Sequence, residues 1–257
     1  MPLARFKNGN MLVVIPVSAS DNEILEDFCA AVKKFSPYLH DVLFVARPAD
    51  LSSLAMVSDR LRGCFRSESA YLFSSDGPRG WPAGPNFYWQ QTIVRLTEVG
   101  NAQPWIWLEM DCTPLRDGWL DDLEGEYYHC GKPFLGMFGE SKVVGKTGKV
   151  MLLSKHLVGV AVYPPEICDH LKIYDHREFN VAFDYLYQYE MIPLSCESAI
   201  MHHGFRTKGF YEQDGEMRCS DASNLPVGKR HNQPVPAGIA LHHGCVDGSL
   251  SKLICLK

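Results

Sequence analysis

The 257-residue chain lacks most of the patterns that would classify it at once. No run of 18 apolar residues occurs, so no transmembrane helix is expected. There is no basic excess: 25 Lys and Arg stand against 30 Asp and Glu, a net charge of −5. That balance argues against a protein living on nucleic-acid phosphates, while leaving room for a local basic patch. The nine cysteines are scattered and odd in number, with no Cys-x-x-Cys pair. Neither a disulfide framework nor a structural zinc site is indicated, and free thiols in a reducing cytoplasm are expected. Internal repeats and low-complexity segments are missing. So are Gly-x-Ser-x-Gly, Gly-x-Gly-x-x-Gly and the P-loop, which removes the nucleophile elbow and both glycine-loop nucleotide mechanisms.

What is present is an ordinary globular composition, 46% hydrophobic and 21% charged. This excludes a disordered, collagenous or coiled-coil chain. A chain of this length buries about 70–75% of its unfolded surface and needs no staples. The opening Met1–Asn10 is weakly basic and leads into only seven apolar residues, Met11–Val17, so a core strand and no signal peptide are expected there.

Glycine and proline divide the chain into alternating pieces. Met11–Val17 and Val42–Ala46 are continuous apolar runs, as for strands buried on both faces. Asn22–Phe35 has apolar residues at helical spacing, and Leu51–Phe65 reads as a second helix. Ala70–Phe73 reads as a third strand. A Gly/Pro-dense loop, Ser74–Asn86, precedes a helix over Phe87–Val99, and Trp105–Leu108 is a fourth strand. This order predicts a doubly wound, mostly parallel α/β sheet. Ligands bind such sheets beyond the carboxyl ends of the strands, which sets Val17–Asp21, Arg47–Asp50, Ser74–Asn86 and Glu109–Asp111 along one cleft. In the second half, Lys132–Phe138 and Gly159–Tyr163 look like strands, Lys142–Lys149 like a flexible loop or hairpin, and Glu178–Tyr189 like a helix. Gly204–Pro236 is polar with little periodicity, and a short tail follows Ile239–Gly244. With no separating linker, one domain over 1–257 is expected, with halves at about 11–115 and about 130–250.

Four constellations could carry chemistry. Glu109 and Asp111, two residues apart on an extended segment, would point to one side and could share a hard divalent cation. His242 and His243 could add a nitrogen ligand; on an extended segment only one of them can face a given site, and Gly244 would let backbone approach phosphate. Gly80–Asn86 opens a helix, with Asn86 a candidate N-cap and free N–H groups available to an anion. Asp184, flanked by aromatics, and nearby Glu178 are candidate general bases, weighed against solvated acids on a polar helix face. His202, His203 and His231 are further candidates without a supporting pattern.

Taken together, these residues resemble a GT-A-type glycosyltransferase of the nucleotide-sugar-dependent kind, and its small bacterial and phage-type members in particular. The opening strand Met11–Ser18 with its acidic turn resembles the family's lead into the nucleotide pocket. Glu109-Met110-Asp111-Cys112-Thr113-Pro114-Leu115 resembles its Asp-x-Asp element, and His243-Gly244 its late metal-binding histidine. Gly80–Asn86 with the following helix, and Gly159–Pro165 with Phe183-Asp184, resemble its connecting and acceptor-side segments. The first acid is Glu where Asp is usual, which favours Asp111 as the metal ligand.

The resemblance implies a GT-A-like sheet with a smaller acceptor-side subregion, a nucleotide-diphosphate sugar donor (a UDP-sugar expected) and Mn²⁺ or Mg²⁺. Donor contacts are implied at Pro16, Val17, Ser18, Asp21, Arg47, Gly84, Asn86, Glu109, Met110, Asp111 and Gly244. Metal contacts are implied at Asp111, Glu109 and His243 or His242, and a catalytic carboxylate at Asp184 or Glu178. Retaining and inverting outcomes both stay open. The acceptor carries a hydroxyl; a hydroxylated DNA base is one alternative, with Arg60, Arg62, Arg66, Lys146, Lys149, Lys229 and Arg230 among the residues that could build its groove. A nucleotidyltransferase would place a Gly-rich, Lys/Arg-containing loop after the first strand, and Ser18–Asp21 has none. The remaining alternative is a non-catalytic nucleotide-sugar-binding module.

Overall fold

A computed structural model describes residues 10–144, 150–173, 181–222 and 233–256. Its centre is β1 (Leu12–Val17), paired in parallel with β2 (Tyr38–Ala46) on one side and β4 (Trp105–Trp107) on the other. β3 (Phe65–Leu72) adds in parallel outside β2. Beyond β4 the sheet continues through antiparallel β7 (Val150–Tyr163) and β6 (Phe134–Val144), then β8 (Ser195–Glu197) parallel to β6. The order is β3-β2-β1-β4-β7-β6-β8, so the expected mostly parallel α/β sheet is present.

The alternation of side chains along β1 explains its unbroken apolar run. Val13, Ile15 and Val17 pack with α1 (Asn22–Lys34), α2 (Leu51–Arg60) and α4 (Trp119–Cys130). Leu12 and Val14 face the opposite layer, built by α3 (Ala83–Glu98), α5 (Ile167–His170), α6 (Phe183–Leu186) and α7 (Gln188–Met191). With helices on both faces, no strand position can be polar without loss.

A second sheet decides where the C-terminal residues go. Its order is β11-β10-β9-β12-β5, from β5 (Cys112–Pro114), β9 (Met201–Gln213), β10 (Glu216–Ala222), β11 (Gln233–Pro234) and β12 (Leu241–Cys245). β5 follows β4 after one tight turn and pairs antiparallel with β12, with His243 opposite Cys112. β12 lies parallel to β9, with His242 beside His202 and His243 beside His203. A final helix, α8 (Ser249–Cys255), closes the chain against α1, where Lys34 Nζ donates to the Ile254 carbonyl at 2.8 Å.

Several sequence expectations are corrected. The second helix ends at Arg60 rather than Phe65, and Gly63, at φ +77°, turns the chain into β3. β3 starts at Phe65, before the expected Ala70, and is an edge strand with mostly exposed side chains, so it shows no apolar run. The third helix begins at Ala83, which puts Asn86 inside its first turns and not at the N-cap. The helix expected over Glu178–Tyr189 is instead two single turns, α6 and α7, with 178–180 outside the described residues. The polar stretch from Gly204 holds most of a long β9–β10 hairpin, turning at Asp214 and Gly215, both at positive φ. The expected tail is helical. β6 and β7 pair antiparallel up to Val144 and Val150, in keeping with the hairpin alternative for Lys142–Lys149, of which 145–149 lies outside the described residues.

Candidate active site

The site grows from the end of β4. Trp105, Ile106 and Trp107 are buried, and the Leu108 N–H extends the pairing by donating to the Val14 carbonyl at 2.9 Å. The Cys112 N–H then donates to the Glu109 carbonyl at 3.0 Å. Glu109–Asp111 is therefore a tight turn, not the extended segment expected, and its central residue, Met110, is buried in the core. The two carboxylates still converge, because the turn carries both to one imidazole. His243 Nε2 lies 3.4 Å from Glu109 Oε2 and 3.3 Å from Asp111 Oδ1. The Trp107 indole N–H donates to Glu109 Oε1 at 3.1 Å and orients that carboxylate. Gly244, at φ +100°, completes the junction: its N–H and that of Cys245 both donate to the Asp111 carbonyl at 3.1 Å.

Asp111 Oδ1 is buried and has no hydrogen-bond partner among the described residues. His243 is close enough for charge pairing but is out of hydrogen-bond geometry. An orphaned buried carboxylate oxygen beside a second carboxylate and an imidazole is a donor set of the kind a hard or borderline divalent cation takes. Cys112 also brings its sulfur within 4.8 Å of Asp111 and His243 ligand atoms. Burial and the charges of Asp111 and Glu109 push its thiol well above its ordinary range, and a soft sulfur suits Mn²⁺ or Mg²⁺ less well than carboxylate oxygen does. Asp111 and His243 fit Mn²⁺ or Mg²⁺, and Glu109 Oε2 lies 3.4 Å from the same imidazole.

The charges at this junction are strongly coupled. Burial works against a charged His243, but the Asp111 and Glu109 carboxylates outweigh it and raise the imidazole to about 10. Burial likewise works to raise Asp111, and the His243 charge holds it below its ordinary value. Asp21, at the end of the β1–α1 turn, is pushed up to about 6 by burial and by Glu109, Asp111 and Asp50.

Beside this acidic centre, the β1, β2 and α3 segments are knitted together. Ser18 Oγ accepts from the Ser20 N–H at 3.4 Å and from Arg47 at 3.3 Å. Arg47 also donates to Asp50 at 2.8 Å and to the Pro78 carbonyl at 3.3 Å, and its guanidinium lies 5.0 Å from the Tyr88 ring centre. Asp50 accepts from the Ala19 N–H at 3.0 Å and from the Tyr88 hydroxyl at 2.6 Å. The same hydroxyl reaches the Val17 carbonyl at 2.8 Å, next to partly buried Pro16. Arg47 thus has three partners within the fold and braces the loops.

Two predicted donor contacts are spent elsewhere. Asn86 is fully buried; its side-chain amide donates to the Val181 carbonyl and its oxygen accepts from the Phe183 N–H, both at 2.8 Å. The Gly84 N–H is bonded to the Gly80 carbonyl at 2.6 Å. Asn86 anchors the chain that delivers Asp184, and neither residue presents a free group to an anion. His242 points away from the carboxylates, with Nδ1 3.0 Å from His202 and Nε2 3.2 Å from the Thr207 hydroxyl. Glu178 and His231 lie outside the described residues.

Asp184 is the second residue of α6 and is near enough to Glu109 to feel its charge. Burial and the Glu109 charge raise its carboxyl to about 7. Its Oδ1 accepts from the Tyr185 N–H at 3.0 Å, and Oδ2 faces His156 Nε2 at 3.8 Å. His156 carried no sequence signal at all. It is buried on β7, stacked on Tyr185 with ring centres 4.0 Å apart. Its strand partner is Gly139, where a Cβ would come within 2.6 Å of the imidazole. His203, a candidate without a pattern in the sequence, sets its Nδ1 3.0 Å from that of His243. Burial, with His243 beside it, lowers His203 to about 3, so it is neutral.

No protein-family model matches the chain, and no curated protein matches it in sequence. Among solved structures it is similar to mouse xyloside xylosyltransferase 1 in its apo form, at 10% identity over 91% of this chain and 97% of that one, with a TM-score of 0.49. It is similar to the galactosyltransferase LgtC in complex with donor and acceptor sugar analogues, at 13% identity over 95% of each chain and a TM-score of 0.44. It is also similar to 4-diphosphocytidyl-2C-methyl-D-erythritol synthase from Anaerococcus prevotii, at 11% identity over 74% of this chain and 87% of that one, with a TM-score of 0.44. Among the described residues, no helix is long and apolar enough to cross a membrane.

Proposed function

We propose that this protein is a metal-dependent glycosyltransferase that moves a sugar from a nucleoside-diphosphate sugar, a UDP-sugar in the first instance, to a hydroxyl acceptor. The observation that carries this reading is the meeting of Glu109, Asp111 and His243 at the carboxyl edge of the parallel strands, with Asp111 Oδ1 buried and unbonded. Asp111, His243 and Glu109 would hold Mn²⁺ or Mg²⁺. Such an ion offsets the charge of the diphosphate and of the departing nucleotide.

The chain's own residues supply the rest. The 11–115 half takes the donor, with Pro16, Ser18 and Asp21 lining the nucleotide side, while Val17 stays in the core. Arg47 and Asp50 hold that loop in place through the bonds described above. The 130–250 half takes the acceptor. Asp184, with a carboxyl near 7, is matched to proton transfer at neutral pH. As the acceptor oxygen bonds to the sugar carbon and the bond to the diphosphate oxygen breaks, Asp184 takes the acceptor proton or orients that hydroxyl. His156 stands behind its Oδ2.

A DNA acceptor would need an unneutralised basic groove. Arg60 pairs with Glu26, Arg62 with Asp59 and Arg66 with Asp41, so these three arginines do not offer one. The acceptor favoured here is a small or saccharide hydroxyl compound.

A thermal-shift screen of nucleotide sugars with and without Mn²⁺ tests the proposal, since a ligand that binds only the folded state raises its melting temperature. Stabilisation by one nucleotide family that depends on Mn²⁺ is expected, together with sugar release when acceptors are added. A panel with no stabilising nucleotide in either condition overturns the reading. Stabilisation without turnover on a broad acceptor panel would make the protein a binding module.

A further inference from the structure

The histidines of β9 and β12 form two pairs set by strand register, His202 opposite His242 and His203 opposite His243. Adjacent residues on a strand face opposite ways, so the two pairs lie on opposite faces of the sheet. Each pair touches Nδ1 to Nδ1 at 3.0 Å. What the far nitrogen meets differs. On one face His242 Nε2 meets the Thr207 hydroxyl at 3.2 Å. On the other, His243 Nε2 meets the Glu109 and Asp111 carboxylates.

Two imidazole nitrogens at 3.0 Å bond only if one carries a proton and the other offers a lone pair. A histidine that offers the Nε2 lone pair to a cation carries its own proton on Nδ1. That proton needs an acceptor, and the atom set against it is His203 Nδ1. His203 must then keep its proton on Nε2. The rings, with centroids 4.7 Å apart and tilted by 32°, are held in this relation by neighbouring strands rather than by a loop.

We propose that His203 is the positioning residue of the metal-binding histidine. It accepts the His243 Nδ1–H and so aims the Nε2 lone pair into the space bounded by Glu109 and Asp111. The inference rests on the reading of Glu109, Asp111 and His243 as a divalent-cation site. In this role His203 acts through His243.

Mn²⁺ binding to the donor-free protein, measured by calorimetry, tests this without any turnover. Loss of a partner that orients a metal-binding histidine typically costs about 10–100-fold in affinity. His203→Ala and His203→Phe should both weaken Mn²⁺ binding in that range; phenylalanine fills the space without supplying an acceptor. His203→Asn, whose side-chain oxygen can stand near the lost Nδ1, should recover most of the affinity. His202→Ala, on the other face, should bind Mn²⁺ much as the unaltered protein does. If His203→Ala does not fold, the contrast between Phe and Asn at this position decides. Equal affinity in the Phe and Asn variants, or unaltered affinity in all His203 variants, overturns the role of His203 while leaving the cation site standing. An unaltered protein that takes up no Mn²⁺ overturns the cation reading and this inference with it.

Discussion

His243 Nε2 lies 3.3 Å from Asp111 Oδ1, at the junction where the short strand β5 joins the two sheets. Neither residue could be brought there by local structure. Asp111 arrives on a turn at the end of a buried tryptophan-rich strand, and His243 on a strand that pairs with the three residues following that turn. Asp111→Asn keeps the shape of the side chain but removes the charge that helps hold His243 protonated, so it should cost the chemistry far more than the fold. Asp111→Asn should lower transfer by at least about 100-fold, the scale on which loss of a single group stabilising transition-state charge is felt. The variant should still fold cooperatively, at a melting temperature lowered by the loss of its charge pairing with His243. Steady-state turnover and a circular-dichroism melt check both halves; near-normal turnover by a folded variant would sink the proposed mechanism.

Asp184 gives a pH prediction. Its carboxyl is raised to about 7 by burial and the Glu109 charge, and it accepts a proton only when ionised. The rate should therefore rise with pH through about 7, where half of Asp184 is ionised, and level off above it. Cation binding at Glu109 offsets the charge that helps raise Asp184, so saturating Mn²⁺ should move this limb downward. Asp184→Asn should abolish the limb along with most of the rate. A flat profile between pH 5 and 8 would show that Asp184 does not carry the proton.

Gly139 is tied to the same group through packing. A methyl at this position would meet the buried His156 ring at 2.6 Å, and the ring has Tyr185 stacked on it. Gly139→Ala should destabilise the protein by about 1–3 kcal/mol, the usual cost of overpacking. It should also shift the pH limb of the rate by displacing His156 from Asp184. Urea melts and a pH–rate profile of the same preparation measure the two effects.

Asn86 holds Val181 and Phe183 with two hydrogen bonds, the first partly buried and the second buried. Asn86→Ala leaves two backbone groups unpaired beside α6, each worth about 1–3 kcal/mol when buried. The variant should lose stability and catalytic rate together while binding of the nucleotide itself holds. Calorimetric titration with the free nucleotide separates the two; lost nucleotide affinity at an intact fold would return Asn86 to the donor side.

His40 predicts an acid limit to stability. Its Nδ1 accepts from the Met11 N–H at 3.1 Å and its Nε2–H reaches Asp121 at 3.0 Å, and burial holds the ring below its ordinary 6.5. The unfolded chain takes up a proton near 6.5 and the folded chain only at lower pH. This contribution is therefore full above 6.5 and declines as pH falls below it. His40→Gln should be less stable at pH 7 yet show a flatter loss between pH 7 and 5, read from denaturant midpoints.

Much of the first half was legible because its signals are local. Leu12–Val17 is apolar at every position since helices cover both faces of β1, and α1 shows its buried stripe at Leu25, Phe28 and Val32. β3 escaped because an edge strand has no need of an apolar run. The β9–β10 hairpin escaped because much of it is exposed and polar, and the other edge of β9 pairs with the distant β12. Asn86 was recognised as a helix-end residue, but its partners lie 95 and 97 positions away.

By itself the sequence determined the strand–helix alternation and the acid pair at the end of the fourth strand, since burial and turn chemistry act on neighbouring residues. Tertiary structure alone decided that His243 and not His242 meets those acids, that His203 stands behind it, and that His156 reaches Asp184. Strand register and the side a residue faces in a sheet depend on pairing across the chain, and a one-residue slip would have reversed every one of those assignments.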